Sequence, residues 1–394
     1  MIRKIMHFIL ILMLSANITS FINQNITTKT QHQPISKNET STISTTINFN
    51  KKNYKNDKQI LSLIDLYNSK IFDTNLEEYT GKIEHLYFNT LIAFPNKAFD
   101  SKNNYNCIYD QEKITANEFK KILNELYLNN YILINPNTLF TNTQSKLIKN
   151  KLYLPQNKKP IILSFDNVTY KSNYQNLGEI DKIIIDRNNN IATYTTKQSI
   201  QDRINYENEF IVILENFINI HPDFSFNNSR GIIFFTGENG LLGYNTTHKN
   251  ASNKSERKKA YQVIKKLSTL GWTFGCNNYR YIDSTTINDF DFANDISLWN
   301  KEIKPLINNT NFFAYPYGNF DKENIFKQDL LKANGFNIFF YTNNTSANLD
   351  IYNDICLMSR RAVNGETLRS NELSHLFDCN KVYDHSFRPI PFSS

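Results

Sequence analysis

Three short runs bring side chains capable of chemistry to the ends of apolar segments. They are Ser164-Phe165-Asp166-Asn167, Gly275-Cys276-Asn277-Asn278-Tyr279-Arg280-Tyr281 and Phe313-Ala314-Tyr315-Pro316-Tyr317-Gly318. Each run follows a stretch that reads as a buried strand. In a parallel sheet all three ends open into one cleft, so Asp166, Asn277, Tyr281 and Tyr317 become neighbours despite their separation in sequence. A cleft carboxylate can move a proton or help to hold a cation; the plain alternative for Asp166 is a turn cap after its strand. Cys276 reads as a nucleophile, a soft ligand or a small buried core residue. The seven histidines form no obvious ligand set. His7 lies in an apolar leader, His32 in a polar tract and His221 in a helix-ending His-Pro pair, and the pattern leaves His85, His248, His375 and His385 unplaced.

The elements that must position these residues alternate. Strands are expected at 86–92, 161–165, 231–235, 272–276, 312–315 and 336–341, and helices at 115–126, 209–220, 255–270, 295–307 and 324–334. Thr115 and Glu118 fit a capping box, and Phe119, Ile122, Leu123 and Leu126 recur at helical spacing behind them. Alternation of this kind implies a parallel sheet with helices outside it, a barrel or a doubly wound sheet, with its site at the carboxyl ends of the strands. An insertion at about 171–208 interrupts the alternation. Within it, Lys182 to Asp186 and Ile191 to Thr195, joined by Asn188-Asn189-Asn190, read as a hairpin folding over the mouth of the site. Arg360-Arg361 closes a final strand or its loop, and Asn364-Gly365 reads as a turn.

From about Glu84 onward these residues resemble the polysaccharide deacetylase family, the NodB-homology fold of the fourth carbohydrate esterase family. The resemblance rests on the strand ending in Phe165-Asp166-Asn167, on Gly271-Trp272-Thr273-Phe274-Gly275-Cys276-Asn277-Asn278-Tyr279-Arg280-Tyr281 against a Gly-x-x-x-Gly-x-His-x-x-x-His pattern, and on Ala314-Tyr315-Pro316-Tyr317-Gly318. It implies a distorted (β/α) barrel and an activity on N-acetylated polysaccharide or peptidoglycan. It places Asp166 as general base and the backbone N–H of Tyr317 as a stabiliser of the oxyanion. The family's metal positions fall on Asn167, Asn277 and Tyr281, where one aspartate and two histidines are expected, and Asn89 stands where many relatives carry histidine. A neutral amide is a weak donor, and a phenol with a reference pKa of ~10 must ionise before it ligates well, so no metal site is assigned. Zinc, cobalt or manganese is the cofactor only if catalysis survives. Tyr315 and Pro316 are expected to support the site, Arg360 or Arg361 to orient Asp166, and His375, in Leu373-Ser374-His375, to stand where relatives supply an acid. Tyr170, Tyr174, Tyr279 and Tyr315 are candidate flat faces for sugar rings. Three readings stay open: a deacetylase-like sugar binder that has lost metal-dependent catalysis, an active de-N-acetylase with donors such as His85, His248 or His375, and a surface interaction protein presenting the hairpin.

The bulk numbers set the frame. With 394 residues, 40% hydrophobic and 13% aromatic, the chain is long enough for a catalytic-size core. A net charge of +7 without a dense basic block gives only a diffuse, salt-sensitive field, and no zinc-finger, phosphate-loop or Arg-rich pattern points to nucleic acid. Cys107, Cys276, Cys356 and Cys379 have no C-x-x-C spacing; a Cys356–Cys379 bridge is open after export. Met1-Ile2-Arg3-Lys4 and the apolar run 5–16 read as a signal peptide over residues 1–20, or an uncleaved anchor that would be the chain's one membrane contact. Residues 21–57 read as a flexible polar tether and 59–79 as a small helical element, so an extracellular or cell-surface location is expected.

Overall fold

The computed structural model describes residues 75–389 apart from 144–145, 171–175, 197, 248–252 and 353. The leader, the tether, most of the expected helical element at 59–79, His7, His32, His248 and Tyr174 lie outside the described residues. The end of that element, Leu76–Tyr79, is a strand paired antiparallel with Leu152–Pro155 rather than helix.

Seven parallel strands follow one another around a closed barrel: β1 Glu84–Phe88, β2 Lys159–Phe165, β3 Ile232–Phe235, β4 Thr273–Cys276, β5 Phe312–Ala314, β6 Ile338–Thr342 and β7 Ile355–Ala362. Each pairs with the next, and β7 returns to β1 through Arg361 opposite Leu86 and Ala362 opposite Tyr87. The barrel is distorted at β2. The first residues of β2 pair with an outlying strand, Tyr131–Leu133, and only Ser164 and Phe165 reach β3. The β4–β5 seam is equally thin, a single pairing of Cys276 with Phe313.

Helices α1 Ala116–Leu128, α2 Phe210–Ile220, α3 Asn253–Leu270, α4 Asp289–Glu302 and α5 Ile325–Ala333 cover the connections between the first six strands, and α6 Gly365–Arg369 follows β7. Between β6 and β7 the described residues hold no helix; Leu349–Tyr352 runs back antiparallel on β7 instead. The expected capping box is present, with Thr115 accepting from Glu118 N and the Glu118 carboxylate accepting from Thr115 N. Among the described residues no helix is long and apolar enough to cross a membrane.

Period-two alternation sorts the strand side chains into two layers. Leu86, Phe88, Leu163, Phe165, Phe235, Cys276 and Phe339 point outward into the apolar layer beneath the helices, where Phe165 stacks on Phe210 with centroids 3.7 Å apart. Ile162, Ile232, Phe234, Phe312, Ile338, Phe340 and Met358 fill the barrel itself. Gly275 is required inside, because a Cβ there would stand 2.3 Å from the Phe234 ring.

Several boundaries differ from expectation for local reasons. The first strand ends at Phe88, and Asn89 to Ile92 form a loop in which Leu91 N donates to the Glu209 carboxylate. The fourth helix begins at Asp289, capped by Asn288, and breaks before Lys304–Ile307, where Pro305 cannot continue the hydrogen-bond ladder. Asn364 caps α6 rather than opening a turn. The hairpin forms as expected, Lys182–Ile185 against Ile191–Tyr194, but its contacts run to the flank of the barrel end. Ile183 N donates to Leu242 O, and Lys182 pairs with Glu256 at the start of α3.

Candidate functional site

Helices that follow parallel strands start at the strands' carboxyl ends, so the loops after β2, β4 and β5 all open at the same end of the barrel. Asp166, the first residue beyond β2, is 1% exposed and anchors its backbone by donating its N–H to Phe88 O at 2.9 Å. Both carboxylate oxygens meet Arg360, an inward residue of β7: Nη1 donates to Oδ1 at 2.7 Å and Nη2 to Oδ2 at 2.9 Å. The guanidinium is fully buried, lies over the Tyr87 ring at 4.4 Å and over Phe234 at 5.3 Å, and gives a third bond to Ser164 Oγ at 3.3 Å. Burial opposes its charge, but the Asp166 carboxylate more than offsets this, and the guanidinium is held above its ordinary pKa. A two-pronged pairing of this kind fixes the carboxylate plane as well as its position.

Beneath the pair, His85 Nε2 and Ser164 Oγ share a hydrogen bond of 2.8 Å, and the imidazole sits edge-on to Phe340. Burial, reinforced by the charge of Arg360, pushes the imidazole pKa well below its usual range, so this ring is neutral at neutral pH. Sequence reasoning named His85 as an alternative donor without placing it, and gave Ser164 and Tyr87 no role of their own. The alternation of His85 and Tyr87 with Leu86 and Phe88 was the signal that both face inward.

The three positions aligned with metal ligands are brought together but are already engaged. Asn277 is fully buried; its Oδ1 accepts the Asn167 backbone N–H at 3.2 Å and its Nδ2 donates to Ala314 O at 2.9 Å. The Asn167 Oδ1 accepts from Thr236 Oγ1 at 3.1 Å. The Tyr281 phenol is pushed well above its ordinary pKa, first by burial and then by the neighbouring Asp166 carboxylate, and the Tyr317 backbone N–H is bonded to it. A divalent metal does not fit this set. It would find one carboxylate held by an arginine, two amides tied into the loops and a phenol that stays protonated. Among the described residues no three His, Cys, Asp or Glu side chains gather as a ligand group.

Tyr317 stands at the mouth, 60% exposed, its ring centroid 5.0 Å from that of Tyr281. Both residues hold left-handed backbone, each with φ of 57°, and so do Asn278 in the loop after β4 and Asn167 in the loop after β2. Bulky residues adopt this conformation only where the surroundings impose it. Pro316 is buried under the turn, and Gly318, with φ of 73°, lets the chain press against Thr342.

Other candidates fall away from the cleft. Arg361, one residue beyond Arg360 and on the opposite face, pairs with Glu84 at 2.8 Å. His375 is exposed and lies by that ion pair, where burial and Arg361 lower its pKa, so it supplies nothing to Asp166. Tyr170, Tyr279 and Tyr315 are buried, at 4%, 7% and 2% exposure, and offer no face to a sugar. The Cys276 thiol faces the outer apolar layer and burial raises its pKa well above the usual value, as for a core residue. All four cysteines are free; Cys356 lies inside the barrel and Cys379 in the outer layer.

No family model matches the chain, and no curated protein matches it. Among solved structures it is similar to a Streptococcus pyogenes deacetylase, PplD, in complex with acetate, at 12% identity over 75% of this chain and 98% of that one with a TM-score of 0.43. It is also similar to IcaB from Ammonifex degensii, at 14% identity over 74% of this chain and 95% of that one with a TM-score of 0.40. A CE4 family pseudoenzyme from Bacillus anthracis matches at 10% identity over 41% of this chain and 54% of that one, with a TM-score of 0.24.

Proposed function

We propose that this chain is an exported, polysaccharide-deacetylase-like protein that binds N-acetylated cell-wall or surface carbohydrate at the carboxyl end of its barrel and has lost metal-dependent hydrolysis. The observation that carries the reading is the closed hydrogen bonding of Asn167 and Asn277 at two of the positions aligned with metal ligands, beside an Asp166 that Arg360 orients as it would a working base. A metal-activated water needs a metal, and neutral amides already tied into the loops hold one poorly. Binding needs less. An exposed tyrosine beside the loops after β4 and β5 suits a sugar ring, whose C–H face stacks on an aromatic. Export rests on the basic and apolar leader at residues 1–20, which would place the barrel outside the cell, with the membrane reached only through an uncleaved leader.

The test is a paired measurement on the full chain: bound metal after incubation with zinc, cobalt and manganese, and binding of N-acetylated chitooligosaccharide or peptidoglycan fragments alongside acetate release. The expected result is sugar binding, no retained metal and no chelator-sensitive acetate release, with affinity reduced about tenfold in Tyr317→Ala. Near-stoichiometric metal and chelator-sensitive turnover, both lost in Asp166→Ala, would instead make the protein a working de-N-acetylase.

A further inference from the structure

Beyond Tyr317 the same rim of the barrel carries a run of apolar side chains that stay exposed among the described residues. Phe290 is 76% exposed in the first turn of α4, and Ile325 and Phe326 are 67% and 51% exposed in the first turn of α5. These helices directly follow the loops that end β4 and β5, the loops carrying Tyr281 and Tyr317. Hydrogen bonds stitch the two loops into one surface. Asn319 Nδ2 donates to Asp283 Oδ2 at 2.6 Å, and Asn324 Nδ2 donates to Asp289 Oδ1 at 2.8 Å. The patch therefore continues the cleft mouth outward. Solvent-exposed rings held on rigid elements in this way mark a contact surface.

The charge around the patch narrows what it contacts. Asp283, Asp289, Asp291, Asp321 and Glu323 lie in the loops and first turns that carry it, while Lys327 is turned inward with its ammonium on Ser284 O and Ile287 O and 3.9 Å from Asp289 Oδ1, and Lys322 is an exposed cation in the loop before α5. This rim is acidic on a chain whose net charge is +7. An anionic polymer or an anionic membrane surface would be repelled here, whereas a cationic chain would be drawn to it.

We infer that the rim from Tyr317 across Phe290 and Phe326 is a track for an amino-sugar polymer carrying free amines, several rings long, whose pyranose faces lie on the aromatic side chains and whose ammonium groups meet the bordering carboxylates. The inference rests on the carbohydrate reading of the cleft and adds two things to it, chain length and charge.

The experiment is calorimetric titration of the full chain with glucosamine oligomers, dimer and hexamer, each with free amines or fully N-acetylated. The expected result is that the free-amine hexamer binds about tenfold or more tighter than its dimer and tighter than the acetylated hexamer, with a preference that fades at high salt. Phe290→Ala with Phe326→Ala should lower hexamer affinity about fivefold to tenfold and leave dimer affinity unchanged, and Asp289→Asn should narrow the preference for amines. Equal affinity for dimer and hexamer, a double variant that keeps wild-type hexamer affinity, or an acetylated hexamer that binds as well as the free amine would each overturn the track while leaving the carbohydrate reading intact. If the wild-type chain binds none of these oligomers, the carbohydrate reading falls and the track falls with it.

Discussion

Asp166 and Arg360 meet inside the barrel at 1% and 0% exposure, where the attraction of the pair has to offset the cost of removing two charges from water. That balance makes each partner dependent on the other. Replacing Arg360 by methionine fills similar space but strands a buried carboxylate, and should lower unfolding free energy by about 3–5 kcal/mol in urea titration at neutral pH. Adding Asp166→Asn to the same chain should return most of the loss; a single variant within about 1 kcal/mol of wild type would mean the carboxylate finds water, contrary to its burial. This pair was half legible beforehand. The Arg-Arg dipeptide was visible, but choosing Arg360 over Arg361 needed the register of β7, which puts Arg360 opposite Thr342 and inside. The histidines show the same limit. His375 matched a short pattern and lies at the surface, while His85, with no motif around it, sits beneath Asp166. A side chain's distance from a cleft depends on which face of its strand it occupies, and a three-residue match carries no face.

At the scale of elements, the strand and helix alternation was legible because both layers of a parallel barrel are apolar, which yields runs such as Ile161 to Phe165 that turn signals then punctuate. The outlying strands Leu76–Tyr79, Tyr131–Leu133 and Leu349–Tyr352 were not, since they are three or four residues long and their pairing partners are set by tertiary contacts. Two elements carry predictions. In the turn after β5 a Cβ on Gly318 would fall 1.7 Å from Thr342 Oγ1 at a φ of 73°. Gly318→Ala should therefore cost upwards of about 1–2 kcal/mol in denaturant unfolding, and weaken the proposed sugar binding as Tyr317 loses its position. At the start of α2, Glu209 is fully buried, accepting from Phe210 N and from Leu91 N, and burial pushes its carboxyl up to about 8 although both N–H groups pull the other way. A folded carboxyl that holds its proton longer than the unfolded one loses stability as pH rises. The loss begins above the ordinary glutamate value of 4.5, where the unfolded group ionises, and is complete once the pH passes about 8. Glu209→Gln keeps an oxygen for the N–H groups and cannot ionise. Its unfolding free energy should decline less than that of wild type between those limits, and parallel pH profiles would refute the assignment.

For the molecule as a whole, the decisive feature is that the polar pair rests on an aromatic floor. Phe234 of β3 and Phe340 of β6 face each other across the barrel interior with centroids 5.4 Å apart; the Arg360 guanidinium lies over the first and His85 stands against the second. The packed core and the candidate site are therefore one structure, closed by thin seams, the pairings of β7 with β1, of β2 with β3 and of β4 with β5. β3 runs between the last two of these seams, so the Phe234 ring is a main link between the two halves of the wall. Phe234→Ala should cost about 3–5 kcal/mol, because the stiff neighbouring strands cannot collapse onto the cavity. The more telling quantity is its coupling to the site. If the floor supports the ion pair, a double-mutant cycle between Phe234→Ala and Arg360→Met should give an interaction energy of about 1 kcal/mol or more, whereas independent core and site would give additive losses. Additivity would separate stability from site geometry and allow the cleft residues to be redesigned freely. Coupling would mean that the packing of the barrel interior is itself part of what holds Asp166 and Arg360 in place.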